Sequence, residues 1–367
     1  MEFTTLTPKE FTKFEQNHPL GNFYQSVARA NLRKKMGWNT YLLGVKDKNV
    51  VKAAALLIEK NKEALIQMGP ILNYQATEEP FPGSSAKPSK SKNQERILVF
   101  FLEELKLFAQ NHDFIQLEIF PPLLLSLRNL DGSKEREWDR KKVFKIFTAN
   151  GYTHEGFTTK IENKANRWMF SKDLTGLKTL RDAELSMNSS TRKKLHKTGR
   201  ELDIKVLTNK KDLKEWLTAL EESDKRNGVH TRDVKYFEDL WDAFGKNVIF
   251  VEARRKDNGE LVSSEVDILH PNEMVAFVAG TIEKNKHFNG SVAIKGFNIE
   301  KCLELGQTRL NLYGMEGDFT PENPLLHFKS GLKGISEEYI GGFRLVLKPS
   351  KLFLRKVRRH LPHQASK

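Results

Sequence analysis

Val248-Ile-Phe-Val-Glu-Ala253, a turn at Lys256-Asp257-Asn258-Gly259, an aliphatic run from Leu261 to Leu269, a turn at Pro271-Asn272 and a run from Met274 to Ala279 form the stretch that decides the fold. Three β-prone segments separated by charged or Pro/Asn turns predict an antiparallel meander. Gly280 closes it, and apolar residues from Val292 to Leu305 then recur at helical spacing. Gly306 supplies a helix stop, and Arg309-Leu-Asn-Leu-Tyr313 predicts one more strand. The same order occurs roughly 200 residues earlier. There, Tyr41 to Val45, Val50 to Ile58 and Ala64 to Met68 predict a meander closed by Gly69. Ile97, Phe100, Phe101, Leu105 and Phe108 follow at helical spacing, and Phe114 to Ile119 predicts a strand. Two copies of β-β-β-α-β imply an internal duplication of an α+β unit. Helical stretches at Leu180 to Arg200, Lys211 to Gly228 and Val234 to Phe244 lie between the copies, and the Pro/Ser/Lys-rich stretch from Glu79 to Lys92 predicts a mobile loop.

Composition narrows the function. The 367 residues are 38% apolar, with 24 Phe, which excludes a disordered chain. A single cysteine, Cys302, rules out a disulfide framework and every multi-cysteine metal site, and points to a reducing compartment. No apolar run approaches the roughly 20 residues that span a bilayer, and Met1 to Glu10 lacks the apolar core of a secretion signal, so a cytoplasmic location is expected. HExxH, CxxC, GxSxG, Walker A and GxGxxG patterns are absent and the ten histidines are scattered. Metal hydrolysis, serine hydrolysis and nucleotide-dependent phosphoryl transfer thereby lose their strongest signatures, and neither a metal nor a cofactor is expected.

Lys and Arg outnumber Asp and Glu 61 to 47, a net charge of +14. The excess is concentrated. From Tyr339 onward there is no acid but there are Arg344, Lys348, Lys351, Arg355, Lys356, Arg358, Arg359 and Lys367. A second cluster holds Arg192, Lys193, Lys194, Lys197 and Arg200. Such blocks attract polyanions, either nucleic acid or an anionic membrane.

The strand and helix order resembles the GNAT acyltransferase unit, in which a splayed sheet opens a cleft for an acyl donor. The turn that would carry coenzyme A, Lys286-His287-Phe288-Asn289-Gly290-Ser291, has one glycine and a neighbouring phenylalanine, a poor pyrophosphate cradle. Further segments lie in order along nearly the whole chain: Tyr24-Gln25-Ser26, Met68-Gly69-Pro70, Thr191-Arg192-Lys193-Lys194, His230 to Phe237, Ala279-Gly280-Thr281, Leu312-Tyr313-Gly314, and His327-Phe328-Lys329-Ser330-Gly331 followed by Glu338-Tyr339-Ile340-Gly341. Together they resemble the Fem family (FemABX and MurM-like) of peptidoglycan-branching aminoacyltransferases.

That resemblance implies two tandem GNAT-like domains, the first at 1–160 plus 339–367 and the second at 161–338. The long coiled-coil arm of many members is expected to be absent. It implies transfer of an amino acid from aminoacyl-tRNA to the stem-peptide amine, usually a lysine side chain, of UDP-MurNAc-pentapeptide or its lipid-linked form. Lys329 would stabilise charge at the reacting centre with Phe328 beside it. Arg232 and Tyr236, on one helical face at i, i+4 if the segment is helical, would hold the phosphate-bearing end of the acceptor with Arg33. Arg192, Lys193, Lys194, Lys197 and Arg200 are the expected tRNA contacts. The segment 350–367, with Leu352, Phe353, Val357 and Leu361 among its cations, would reach an anionic membrane or the tRNA.

Where family members place Asp-Pro, this chain has Ile119-Phe120-Pro121, and Glu118 falls on the other face of its strand. A substrate-assisted proton transfer, through the ribose hydroxyl or a phosphate, is therefore expected. Ala276-Phe277-Val278 likewise replaces the tyrosines before the Ala279-Gly280 turn. Two competing functions stand beside this one. A GNAT enzyme using an acyl-coenzyme A donor would bind coenzyme A at Gly290, and a non-catalytic nucleic-acid or membrane adaptor on the same fold would tolerate Lys329→Met.

Overall fold

The computed structural model describes residues 1–74, 94–161 and 164–360, with side chains through Arg355. The loop expected at Glu79 to Lys92 and the side chains of Lys356, Val357, Arg358, Arg359, Leu361 and Lys367 lie outside the described residues.

Both copies of the β-β-β-α-β unit are present. In the first, strands Asn39–Asp47, Val50–Lys60 and Glu63–Gln67 run antiparallel. The helix Gln94–Asn111 then leads to Gln116–Phe120, which pairs in parallel with Glu63–Gln67. Ala53-Ala54-Ala55 at the centre of the second strand is fully buried, because helices Pro8–Asn17 and Gln94–Asn111 pack over it. In the second copy, Val248–Arg255, Leu261–His270 and Glu273–Thr281 form the meander. Helix Gly290–Glu304 follows, and Arg309–Gly314 returns parallel to Glu273–Thr281.

The two sheets exchange strands. Phe343–Val346 inserts into the first sheet between Gln116–Phe120 and Thr153–His154. Leu124–Arg128 and Lys134–Glu137 leave the first half and extend the second sheet through Ile335–Tyr339. A cut of the chain at residue 160 therefore divides the second sheet.

Helices Leu213–Asn227 and Val234–Phe244 are joined through Gly228 at φ 66°. They lie flat on the second sheet, with Trp216, Leu220, Phe237 and Leu240 buried against Phe250 and Val266. The contact is close: a Cβ on Gly280 would sit 2.3 Å from the Ala219 carbonyl oxygen. The longest helix among the described residues has 18 residues, so they contain no long coiled-coil arm. On the other face, helix Gly290–Glu304 buries Val292, Ile299 and Cys302. No helix among the described residues is long and apolar enough to cross a membrane.

Candidate active site

The parallel pairing of Glu273–Thr281 with Arg309–Gly314 lasts only from Met274↔Leu310 to Val275↔Asn311. Beyond it the strands diverge, and Phe277 and Tyr313 meet across the wedge with ring centroids 5.2 Å apart. The first copy has no such opening, because its parallel pair runs from Glu63↔Gln116 to Gln67↔Phe120 and Gly69 N–H then donates to Phe120 O at 3.0 Å. Residues Phe23–Gln25 of the first half plug into the wedge. The Phe23 ring lies 5.6 Å from Phe277, and the Tyr24 and Tyr313 hydroxyls are hydrogen-bonded to each other.

Lys329 stands at this point. Helix Pro324–Gly331 begins at Pro324, behind Asn323, whose Oδ1 accepts from Leu325 and Leu326 N–H. The helix aims Lys329 inward, at 3% exposure, while Phe328 is half-buried against the core around Trp168. The Nζ donates to Gly314 O at 2.7 Å and Tyr313 O at 3.1 Å. Burial, reinforced by nearby Lys295, lowers the ammonium pKa to about 7.

An arginine cluster lies on the same side of the wedge. Arg29 and Arg33 stand one turn apart on helix Val27–Lys35 and share Gln67 Oε1, at 3.2 and 3.5 Å. Neither Nε has a hydrogen-bond partner among the described residues. Burial, then the proximity of Arg29, brings Arg33 down to about 9. Arg232 is exposed, its guanidinium 4.7 Å from the Tyr236 ring centroid and 5.8 Å from that of Phe277. The expected helical i, i+4 spacing is not what joins Arg232 to Tyr236. Asp233 caps the helix, its side chain accepting from Tyr236 N–H at 2.9 Å, so Arg232 belongs to the preceding loop. A buried Arg29 and a half-buried Arg33 facing a neutral amide, with the exposed Arg232 nearby and no carboxylate among these contacts, form a site whose electrostatics call for an anion.

The basic helix Ser189–Glu201 abuts the Lys329 helix. Asn188 N–H donates to Gly331 O at 3.2 Å, and a Cβ on Gly331 would collide with Thr191 Oγ1. Lys193, Lys194 and Arg200 are exposed. Arg192 is half-buried and donates to the carbonyls of Glu184, Leu185 and Met187, at the end of helix Leu180–Ser186, and Lys197 lies 3.6 Å from Glu201. Arg192 is thus already engaged within the protein, whereas Lys197 remains exposed.

Glu118 is buried and paired with Lys164 at 2.5 Å and Arg344 at 3.0 Å, which takes it out of acid–base use. At the turn compared with a coenzyme A loop, a Cβ on Gly290 would meet Ser263 Oγ at 2.5 Å, so the glycine lets the helix seat on its strand. Arg29, Tyr24 and Tyr313 were not singled out as site residues by sequence reasoning. The spacing of Arg29 from Arg33 was a usable signal, whereas Tyr24 and Tyr313 are brought together only by the fold.

The architecture and its cleft are those of a tandem acyltransferase. A profile of the FemAB family matches residues 6–79, 85–255 and 250–357, and the chain belongs to that family. It is 25% identical to aminoacyltransferase FemB of Staphylococcus epidermidis (strain ATCC 12228) over 420 residues, covering 96% of this chain and 97% of the relative. Identity to aminoacyltransferase FemA of Staphylococcus aureus (strain bovine RF122) is 24%, covering 94% of each. These alignments are longer than the 367-residue chain, so the relatives carry residues that it lacks. The crystal structure of FemX superposes with a TM-score of 0.79 at 16% identity, covering 96% of this chain and 99% of that one. A tandem GNAT protein from the clavulanic acid biosynthesis pathway gives 0.50 at 11%, covering 94% and 98%. These likenesses show the shared fold.

Proposed function

We propose that the chain is an aminoacyltransferase that moves an amino acid from aminoacyl-tRNA to the stem-peptide amine of a peptidoglycan precursor, building the interpeptide bridge. The observation that carries this reading is Lys329, buried at the wedge of a FemAB-family fold with both hydrogen-bonded acceptors neutral. An aminoacyl ester is already activated, so the reaction requires an oriented, neutral amine and donors for the oxyanion, without a covalent enzyme intermediate. Two of the three Lys329 N–H donors are spent on carbonyls; the third serves the charge that develops as the amine attacks. Phe328 packs beside it. Arg33, Arg232 and Tyr236, joined by Arg29, hold the phosphates of the acceptor. The attacking nitrogen gives its proton to the departing ribose oxygen, consistent with the engagement of Glu118 elsewhere.

Offering the purified protein a mixture of charged tRNAs with UDP-MurNAc-pentapeptide or its lipid-linked form, and weighing the products, tests donor and acceptor together. A product lacking an added aminoacyl mass with every pairing would overturn the reading.

The donor's acceptor stem docks on the helix that abuts Lys329, through Lys193, Lys194 and Arg200. Reversing these three charges to Glu should raise the KM for aminoacyl-tRNA and make the slope of log affinity against log salt shallower by about one for every phosphate left without its cation. An unchanged slope would remove the helix from the tRNA surface.

The end of the chain contacts the anionic inner face of the membrane. In helix Pro349–His360, Phe353 and Leu354 are 67% and 56% exposed beside Lys351. Lys348 and Lys351 also pair with Asp113, and Arg355 lies 3.3 Å from Glu63, so the start of the helix is docked on the first half with Phe353 and Leu354 outward. Phe353→Asp with Leu354→Asp should abolish co-sedimentation with vesicles rich in phosphatidylglycerol; full retention would exclude this contact.

A further inference from the structure

Tyr313 touches both parts of the site. Its φ of 64° lies in the left-handed region, which a bulky side chain rarely adopts. Three tethers hold it there. Its N–H donates to Asn311 Oδ1 at 2.8 Å, its carbonyl accepts from Lys329 Nζ at 3.1 Å, and its hydroxyl is bonded to that of Tyr24, 289 residues away in sequence.

The surroundings of the hydroxyl pair are cationic. The Arg29 guanidinium lies 5.4 Å from the Tyr24 ring centroid, and Arg232 covers Phe277, whose ring abuts Tyr313. A bond between two hydroxyls uses one hydrogen and leaves the other free. Burial pushes both phenols up, and their mutual bond raises Tyr24 while lowering Tyr313. Either hydroxyl can donate in this bond; with Tyr24 as the donor, the hydrogen of Tyr313 is available to the cleft.

We infer that Tyr313 is a positioning residue that couples the anion site to Lys329: its hydroxyl, aligned by Tyr24, donates to a phosphate oxygen held by Arg29, Arg33 and Arg232, while its carbonyl fixes the lysine. This inference rests on the transferase reading above. In the step concerned, the amine nitrogen bonds to the ester carbonyl carbon and the bond from that carbon to the ribose oxygen breaks. The ribose oxygen leaves with the proton released by nitrogen, and Tyr313 keeps its own. A bound phosphate therefore raises the rate of chemistry as well as the affinity.

The test measures kcat of the full chain with UDP-MurNAc-pentapeptide and with the free pentapeptide of the same sequence. Wild type should favour the nucleotide-linked acceptor in kcat by about tenfold or more, within the usual range of coupling between sites. Tyr313→Phe should bring that ratio close to one, and Tyr24→Phe should lower it. Inorganic pyrophosphate should accelerate the free-peptide reaction of wild type and leave that of Tyr313→Phe unaffected, a response that simple loss of packing does not predict. A wild-type ratio near one, or a full ratio in Tyr313→Phe, overturns the coupling. Lys329→Met, assayed alongside, separates the two failures: if it is inactive while Tyr313→Phe keeps the full ratio, the transferase reading stands and the coupling falls. Should Tyr313→Phe fail to fold, Tyr24→Phe decides by the same ratio.

Discussion

Lys329→Met should lower kcat by about 10²- to 10³-fold, the usual cost of removing one preorganised donor from an oxyanion. Methionine keeps the length and apolar stem of lysine, so the helix Pro324–Gly331 can still pack, while the carbonyls of Tyr313 and Gly314 lose their donor. The effect belongs in kcat, with the KM for either substrate little changed, because the ammonium acts on charge that appears only during the reaction. The pH profile adds a second check. With its pKa lowered to about 7, Lys329 is charged below that value and loses its proton above it. A rate that needs the cation therefore falls as pH rises through about 7, while deprotonation of the acceptor amine pushes the rate in the opposite direction. Lys329→Arg should move the falling limb to higher pH, since a guanidinium holds its proton more tightly than an ammonium. Wild-type turnover by the methionine variant would falsify the role.

Arg309→Met should destabilise the fold by roughly 3–5 kcal/mol, the cost of leaving buried charges without their partner. Arg309 joins Glu273 on the neighbouring strand and, at 2.5 Å, Glu337 on a strand beyond Trp168–Asp173 in the second sheet. All three are buried. Burial alone would lower the arginine pKa, but the two carboxylates outweigh it and raise it. Chemical denaturation at pH 7 reads the loss, and adding Glu273→Gln and Glu337→Gln to the arginine variant should recover part of it. A midpoint at pH 7 unchanged from wild type would show that the network carries no net stability.

The strand order was legible because each meander pairs neighbours along the chain, and turns such as Lys256-Asp257-Asn258-Gly259 mark where each run ends. Leu124–Arg128 was not legible: its partner Ile335–Tyr339 lies far along the chain, and no local pattern in Leu-Leu-Ser-Leu-Arg tells which sheet will take it. Within the site, resemblance pointed to Lys329 and Arg232, but the depth of Lys329 depends on the helix N-capped by Asn323, and the setting of Arg232 on the loop before Asp233. Arg29 had a signal in its i, i+4 spacing from Arg33, but helix Val27–Lys35 is short and basic and its apolar periodicity too slight to show which face it buries. The Tyr24–Tyr313 bond is a product of tertiary assembly, which spacing rules cannot reach.

The swapped strands limit how the enzyme can move. Since Phe343–Val346 and Leu124–Arg128 are stitched into opposite sheets, scissoring the halves apart would tear ladder hydrogen bonds in both. Admission of a bulky lipid or nucleotide substrate then falls to the exposed rim, such as the loop bearing Arg232, and a lone half expressed by itself would lack a slat of its own sheet.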